Sequence, residues 1–172
     1  MRELILGGAR SGKSALAGRR AEAFAQVVWI ATAEARDAEM AERIARHRAE
    51  RPAHWQTVEE PLSLAAALRR HAGNAAGADV CLVVDCLTLW LTNLLLAEDA
   101  GLLERETAAL LDTLPALPGA IVLVANEVGL GIVPENALAR RFRDEAGRLN
   151  QRVAAACERV TFVAAGLPLV LK

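Results

Sequence analysis

Residues 3–14 read ELILGGARSGKS, a short apolar run followed at once by two glycines, a small polar stretch, a third glycine, a lysine and a serine. The spacing G-x-x-x-x-G-K-[ST] is complete over Gly7, Gly8, Ala9, Arg10, Ser11, Gly12, Lys13 and Ser14. Glu3–Leu6 predicts a buried strand before the glycines, and Lys13–Phe24 a helix after them. Such a turn lets successive backbone N–H groups converge on an anion, reinforced by the positive end of the helix dipole. In that arrangement Lys13 reaches the β- and γ-phosphates of a nucleoside triphosphate, and the Ser14 hydroxyl serves Mg²⁺. Apart from the terminal Lys172, Lys13 is the only lysine, and arginine supplies every other fixed cation. A compact ammonium group fits between phosphate oxygens.

Outward from this loop, further continuous apolar runs predict buried strands at Gln26–Ala31, Val80–Val84, Ala120–Ala125 and Arg159–Ala164. They are short and do not alternate, which is how parallel strands covered on both faces read. Helical segments are expected at Asp37–Arg51, Leu62–Ala72, Leu87–Leu96, Leu102–Thr113 and Ala137–Glu158, with a further short edge strand within Gly166–Lys172. Strands alternating with helices predict an α/β sandwich of the P-loop NTPase, RecA-like kind, with a mainly parallel central sheet and helices on both faces. No repeat or linker divides the chain, so residues 1–172 are expected to form a single nucleotide-binding domain. Ligands of such sheets lie beyond the carboxyl ends of the strands.

Asp85 ends the apolar run Cys81–Val84, where a carboxylate that holds Mg²⁺ or its water belongs. The same position also suits a cap for the helix beginning near Leu87. The segment Asp37–Arg51 carries Met40, Ile44 and His47 on one face, and His47 stands among Arg43, Arg46, Arg48 and Arg51. A neutral imidazole there is suited to attack phosphorus, since neighbouring cations disfavour its protonation and screen an incoming polyphosphate. A half-buried histidine on a solvated, arginine-rich face accounts for the same pattern. His54 and His71 have still less context.

Composition narrows the function classes. With 20 basic and 21 acidic residues, and aromatic residues at 3%, the chain has neither the field nor the stacking surface for nucleic acid. Cys81, Cys86 and Cys157 lack metal or redox spacing and read as buried free thiols of a reducing, cytoplasmic protein. The residues ahead of the first strand show no leader pattern, so none is expected, and no run reaches the roughly 20 apolar residues that span a bilayer. The longest, Cys81–Ala97, is interrupted by Asp85, Thr88, Thr92 and Asn93.

Four blocks together resemble the bifunctional adenosylcobinamide kinase and adenosylcobinamide-phosphate guanylyltransferase family. They are GGARSGKS (7–14), IATAEARDAEMAERIARHRAERPAHW (30–55), VVDCLTLWLTNLL (83–95) and NEVGLGIVPENALARRFRDEAGRLNQR (126–152), in the expected order over nearly the whole chain. The resemblance implies two reactions. A nucleoside triphosphate, ATP or GTP, phosphorylates the aminopropanol hydroxyl of adenosylcobinamide. GTP then loses pyrophosphate to leave GMP on a histidine, which passes it to adenosylcobinamide phosphate to give adenosylcobinamide-GDP. The family's guanylylated histidine stands four residues before an R-P-A-H-W string, as His47 does here before Arg51, Pro52, Ala53, His54 and Trp55. Arg46 fills a place that is histidine in some relatives, so no role carries over to it.

The resemblance further implies that Gly7–Ser14 hold the triphosphate, and that Ala31, Thr32 and Ala33 line the nucleotide site. Glu50, Arg51, Pro52 and Ala53 would touch nucleotide beside His47, and Glu59 and Asp85 would complete the site. Family members often have glutamate where Asp85 stands, and a water bridges the shorter side chain to Mg²⁺ in that reading. A cyclic homo-oligomer, a trimer, is also implied. Two other functions share the loop: a small-metabolite kinase with no covalent histidine, and a RecA-like ATP-dependent interaction module.

Overall fold

The computed structural model of the chain describes residues 1–49, 51–73 and 79–172. Among them, seven strands form one sheet: β1 (Arg2–Gly7), β2 (Gln26–Ala31), β3 (Gln56–Glu59), β4 (Val80–Asp85), β5 (Ala120–Asn126), β6 (Arg159–Ala164) and β7 (Leu167–Val170). Their order is β3-β2-β4-β5-β1-β6-β7, parallel throughout except for the antiparallel β6–β7 pair. The helices are α1 (Lys13–Ala21), α2 (Ala38–Ala49), α3 (Leu64–Gly73), α4 (Leu87–Leu96), α5 (Leu102–Thr113) and α6 (Ala137–Ala156), with a 3₁₀ turn at Leu114–Ala116. This is the α/β sandwich with a mainly parallel sheet that the apolar runs predict.

Alternation along the central strands sends successive side chains to two different cores. Leu4, Leu6, Ile30, Leu82, Val84, Ile121 and Leu123 face α3, α4, α5 and α6, where Leu64, Leu68, Trp90, Leu110 and Val153 complete the larger core. Ile5, Val27, Trp29, Val83, Val122 and Val124 face the other way, against Leu16, Ala17 and Ala21 of α1 and against Trp55. No described side chain of α2 belongs to either core. The sheet is therefore thickly covered on one face and by little more than α1 on the other, which leaves room for a cleft beside the glycine-rich loop.

Buried polar groups explain the interruptions in the apolar stretch around α4. Asn93 donates to the carbonyls of Thr32 (2.7 Å) and Pro61 (3.1 Å), the Thr88 hydroxyl accepts from the Asn126 N–H (2.7 Å), and Trp90 Nε1 donates to the Leu62 carbonyl (2.7 Å). Each ties α4 to the strand ends or to the loop before α3. No helix among the described residues is long and apolar enough to cross a membrane.

The sequence reading differs from the structure at one strand and at several helix ends. β3 escapes it because Gln56-Thr-Val-Glu59 is four residues long, lies at the sheet edge and is nowhere fully buried, so it has no apolar run to announce it. α2 starts one residue later than expected because Asp37 accepts from the Met40 N–H (2.7 Å) and stays outside the helix. α3 starts two residues later because Glu60 accepts from the N–H groups of Leu62 (3.1 Å) and Ser63 (2.8 Å). β7 lies at the opposite edge, where the C-terminal residues were expected to add a short strand.

Candidate active site

The loop from Gly7 to Ser14 is held by its own backbone and by the β6–β7 turn. Ser11 N–H donates to the Gly8 carbonyl (3.3 Å), and Gly166 N–H donates to the Ser11 carbonyl (2.8 Å). Arg10 (φ 55°) and Gly12 (φ 96°) adopt left-handed conformations, which curl the chain into a cup before α1 begins. At Gly7 a side chain is excluded for a different reason: an added Cβ would lie 2.5 Å from both Ser11 Oγ and the Val163 carbonyl oxygen. Lys13 is largely buried, and its ammonium group donates back to the Gly8 carbonyl (2.9 Å). The Ser11 hydroxyl is buried with no hydrogen-bond partner among the described residues.

Asp85 faces this cup from the end of β4, and the Ser14 hydroxyl donates to its Oδ1 at 3.4 Å. The cap position of α4 belongs to Cys86, with no side-chain cap bond, so Asp85 does not cap that helix. Burial pushes the Asp85 carboxyl above the usual carboxylate range, opposed by Arg51, His47, Lys13 and the Ser14 hydroxyl bond. Thr32 fixes the main chain next to it. Its hydroxyl donates to the Cys86 carbonyl (2.7 Å) and accepts from the Cys86 N–H (2.9 Å), while Thr32 N–H donates to the Asp85 carbonyl (3.2 Å). Thr32 is thus wholly buried behind Asp85, and neither it nor Ala31 and Ala33 lines the cleft.

The cleft has a volume of about 770 Å³ and runs from the phosphate loop along the groove between α1 and α2. Lys13, Ser14 and Asp85 line it together with His47 and Arg46 of α2. Trp29, Arg51, Pro52 and Trp55 line the sheet side. Trp29 and Trp55 stack with centroids 5.7 Å apart and planes 14° apart, and the Arg51 guanidinium lies 5.0 Å from the Trp29 ring centre. Burial lowers the Arg51 pKa from its ordinary value, with Asp85 acting in the opposite sense.

The expected site residues therefore separate. Arg10, Ser11, Gly12, Lys13, Ser14, His47, Arg51, Pro52 and Asp85 converge on one cleft, with Gly7 and Gly8 forming the turn beneath it. Glu59 does not join them: it is exposed at the end of β3 and pairs with Arg48 at 3.4 Å. Ala53 is exposed outside the cleft, and Glu50 lies outside the described residues. His54 stands edge-on to Trp55, and His71 lies in the last turn of α3, so neither reaches the cleft. Trp29, Glu39 and Glu42 line the cleft without having been singled out as site residues. For Trp29 the signal available was a tryptophan inside an otherwise aliphatic buried strand, with a second one following the His47 helix.

Residues 3–171 match the family model described as cobinamide kinase / cobinamide phosphate guanyltransferase. The chain belongs to this family. It is 62% identical over 173 residues to the bifunctional adenosylcobalamin biosynthesis protein CobP of Pseudomonas aeruginosa, covering 100% of this chain and 98% of that protein. It is 43% identical over 190 residues to CobU of Salmonella typhimurium, covering 98% of each chain. The family's enzymes are cobinamide kinases and cobinamide phosphate guanylyltransferases of cobalamin biosynthesis, and this member is an enzyme of that kind. Among solved structures, the chain is similar to an ATPase of a type III secretion system of pathogenic bacteria, with a TM-score of 0.60 at 16% identity. That match covers 98% of this chain but 56% of the ATPase, and at such identity it establishes the P-loop NTPase fold alone.

Proposed function

We propose that the cleft beside the phosphate loop serves both reactions of the family, with His47 as the covalent carrier of GMP. The observation that carries this reading is that Lys13, Ser14, Asp85 and His47 line one cleft, although the first three come from the P-loop and β4 and the last from α2. In the first reaction the acceptor is adenosylcobinamide, and Lys13 and the loop N–H groups offset the charge that builds on the phosphate oxygens. In the second, an imidazole nitrogen lone pair of His47 forms a bond to the α-phosphorus of GTP as the bond to the bridging oxygen breaks and pyrophosphate leaves. A phosphate oxygen of adenosylcobinamide phosphate then takes the GMP group, breaking the phosphorus–nitrogen bond and restoring the imidazole. No described side chain of α2 joins either apolar core, so a swing of His47 toward the loop disrupts little of that packing.

The donor atoms at the cup fit Mg²⁺. Ser14 and Asp85 present a hydroxyl and a carboxylate oxygen 3.4 Å apart, hard donors that would hold the ion while phosphates and water fill its other positions. Once bound, Mg²⁺ supplies positive charge at the transferring phosphate. Its charge also favours ionised Asp85, against the effect of burial. A homo-oligomer, a trimer in the family reading, is supported by the exposed edge strand β7, whose residues Leu167, Leu169 and Val170 are uncovered on the outer edge of the sheet.

The test is incubation with Mg²⁺ and GTP labelled at the α-phosphate, beside a His47→Asn variant. Acid-labile, base-stable label on the parent protein and none on the variant is the expected result. Equal labelling of both proteins removes His47 as the carrier, and no label on protein that phosphorylates cobinamide leaves a kinase without a covalent step.

A further inference from the structure

β5 lies between the two strands that bear the nucleotide machinery. Gly7 of β1 pairs with Asn126, and Asp85 of β4 pairs with Val124. Val122 and Val124 face the α1 side of the sheet, so alternation puts Asn126 on that same side, between the phosphate loop and the Asp85 strand. Its main chain is held from both helices behind the sheet: the N–H donates to the Thr88 hydroxyl (2.7 Å), and the carbonyl accepts from Asn150 Nδ2 (3.3 Å). The next residue, Glu127, donates its N–H to the Gly7 carbonyl at 3.1 Å. Asn126 is part-exposed, and its side-chain amide makes no hydrogen bond among the described residues.

The loop that follows is fixed at both ends yet turns its aliphatic side chains to solvent. Glu127 accepts from the Gly129 N–H (2.6 Å), Arg140 holds the Pro134 and Glu135 carbonyls, and Asn136 caps α6. Between these anchors Leu130, Ile132 and Val133 are 82%, 96% and 57% exposed. Three large aliphatic side chains turned to solvent on a loop held at both ends suit an apolar ligand. Its root is hydrogen-bonded to the first glycine of the phosphate loop, whereas the other exposed apolar strip, β7, lies at the sheet edge two strands from β1. An apolar loop rooted on the first glycine of the phosphate loop suits the body of the acceptor, which must approach the γ-phosphate held there.

We infer that the acceptor side of the kinase site is built at the end of β5, with Asn126 touching the transferred phosphoryl group and Leu130, Ile132 and Val133 receiving the macrocycle of the acceptor. This inference rests on the kinase reading proposed above. The acceptor hydroxyl oxygen forms a bond to the γ-phosphorus as the bond from that phosphorus to the β,γ-bridging oxygen breaks. The nucleoside diphosphate leaves, and the hydroxyl proton passes by way of a phosphoryl oxygen to water. The Asn126 amide donates to an equatorial oxygen of the group in flight and moves no proton. Asn126 pairs with Gly7 at the root of the phosphate loop, whereas His47 stands on α2, so its contribution is assigned to phosphorylation and not to guanylylation of the histidine.

Two variants of the full chain test it, each assayed for cobinamide phosphorylation and for GTP-dependent labelling of the protein. Asn126→Ala is expected to lower kcat for phosphorylation about 100-fold, with the KM for nucleotide and the labelling rate each within about threefold of the parent. The triple variant Leu130→Ser, Ile132→Ser, Val133→Ser is expected to raise the KM for cobinamide about tenfold or more, with the KM for nucleotide and the sedimentation mass unchanged. Equal loss of both reactions in Asn126→Ala reduces that residue to a structural role and overturns its part of the inference. An unchanged KM for cobinamide in the triple variant, whether or not the assembly dissociates, overturns the rest. A parent protein that fails to phosphorylate cobinamide sinks the kinase reading and this inference with it.

Discussion

Replacing Gly7 by alanine adds a single methyl group at the most crowded point of the phosphate loop. The new Cβ would stand 2.5 Å from Ser11 Oγ and 2.5 Å from the Val163 carbonyl oxygen. A serine rotamer change relieves the first clash, but the second is with backbone at the last pair of the β1–β6 ladder, where Gly7 opposes Val163. Relief therefore requires the loop or the strand end to move by several tenths of an ångström. Overpacking of this kind costs about 1–3 kcal/mol. At about 2–4 °C per kcal/mol for a chain of this length, the midpoint of thermal unfolding should fall by about 2–12 °C. Displaced N–H groups in the cup should lower triphosphate turnover about 100-fold in both reactions. Gly147→Ala provides the control: an added Cβ there meets nothing within 4 Å, and the residue lies inside α6. It should stabilise the protein by about 0.8–1.0 kcal/mol through helix propensity and leave turnover alone. Calorimetry and steady-state kinetics on the two variants decide the matter. A Gly7→Ala protein with the melting midpoint and turnover of its parent would show that the cup is not packed as described.

Other outcomes follow from the same geometry. Lys13→Ala should depress cobinamide phosphorylation by about 100-fold or more, and a near-normal rate would remove the loop as the triphosphate site. Because burial raises the Asp85 carboxyl, the folded protein without nucleotide binds its proton more tightly than the unfolded chain, and ionising it as pH rises opposes folding. Asp85→Asn should therefore raise the melting midpoint at neutral pH, by an amount that vanishes at acid pH, while lowering Mg²⁺-dependent turnover. A variant that melts lower at neutral pH contradicts that sign. The thiols of Cys81, Cys86 and Cys157 are buried, and burial pushes them up to about 12, about 11 and about 11 respectively. Titration with a thiol reagent should find none reactive until the chain unfolds, and one rapid equivalent in native protein would refute that burial.

Local pattern made the phosphate loop and the central strands legible. The spacing of Gly7, Gly12, Lys13 and Ser14 encodes a backbone cup that forms from nearest neighbours, and the aliphatic runs of β1, β2, β4 and β5 have only one good use, burial on both faces of a sheet. The four sequence blocks likewise sufficed to point to the family that residues 3–171 match. β3 was not legible, because a short edge strand takes its definition from a neighbour's unpaired hydrogen bonds and not from its own side chains. Nor was the burial of Thr32, whose hydroxyl bonds to Cys86, or the outward pairing of Glu59 with Arg48. The stacking of Trp29 on Trp55 likewise became visible only in the fold, whereas the family resemblance already set His47, Lys13 and Asp85 in one site. Apart from β3, local periodicity and backbone preference determined which segments become strand, helix and phosphate cup. Which side chains share a cleft was decided by tertiary structure alone, because it depends on strand order and on how thinly α1 covers one face of the sheet, and neither is written in any single stretch of residues.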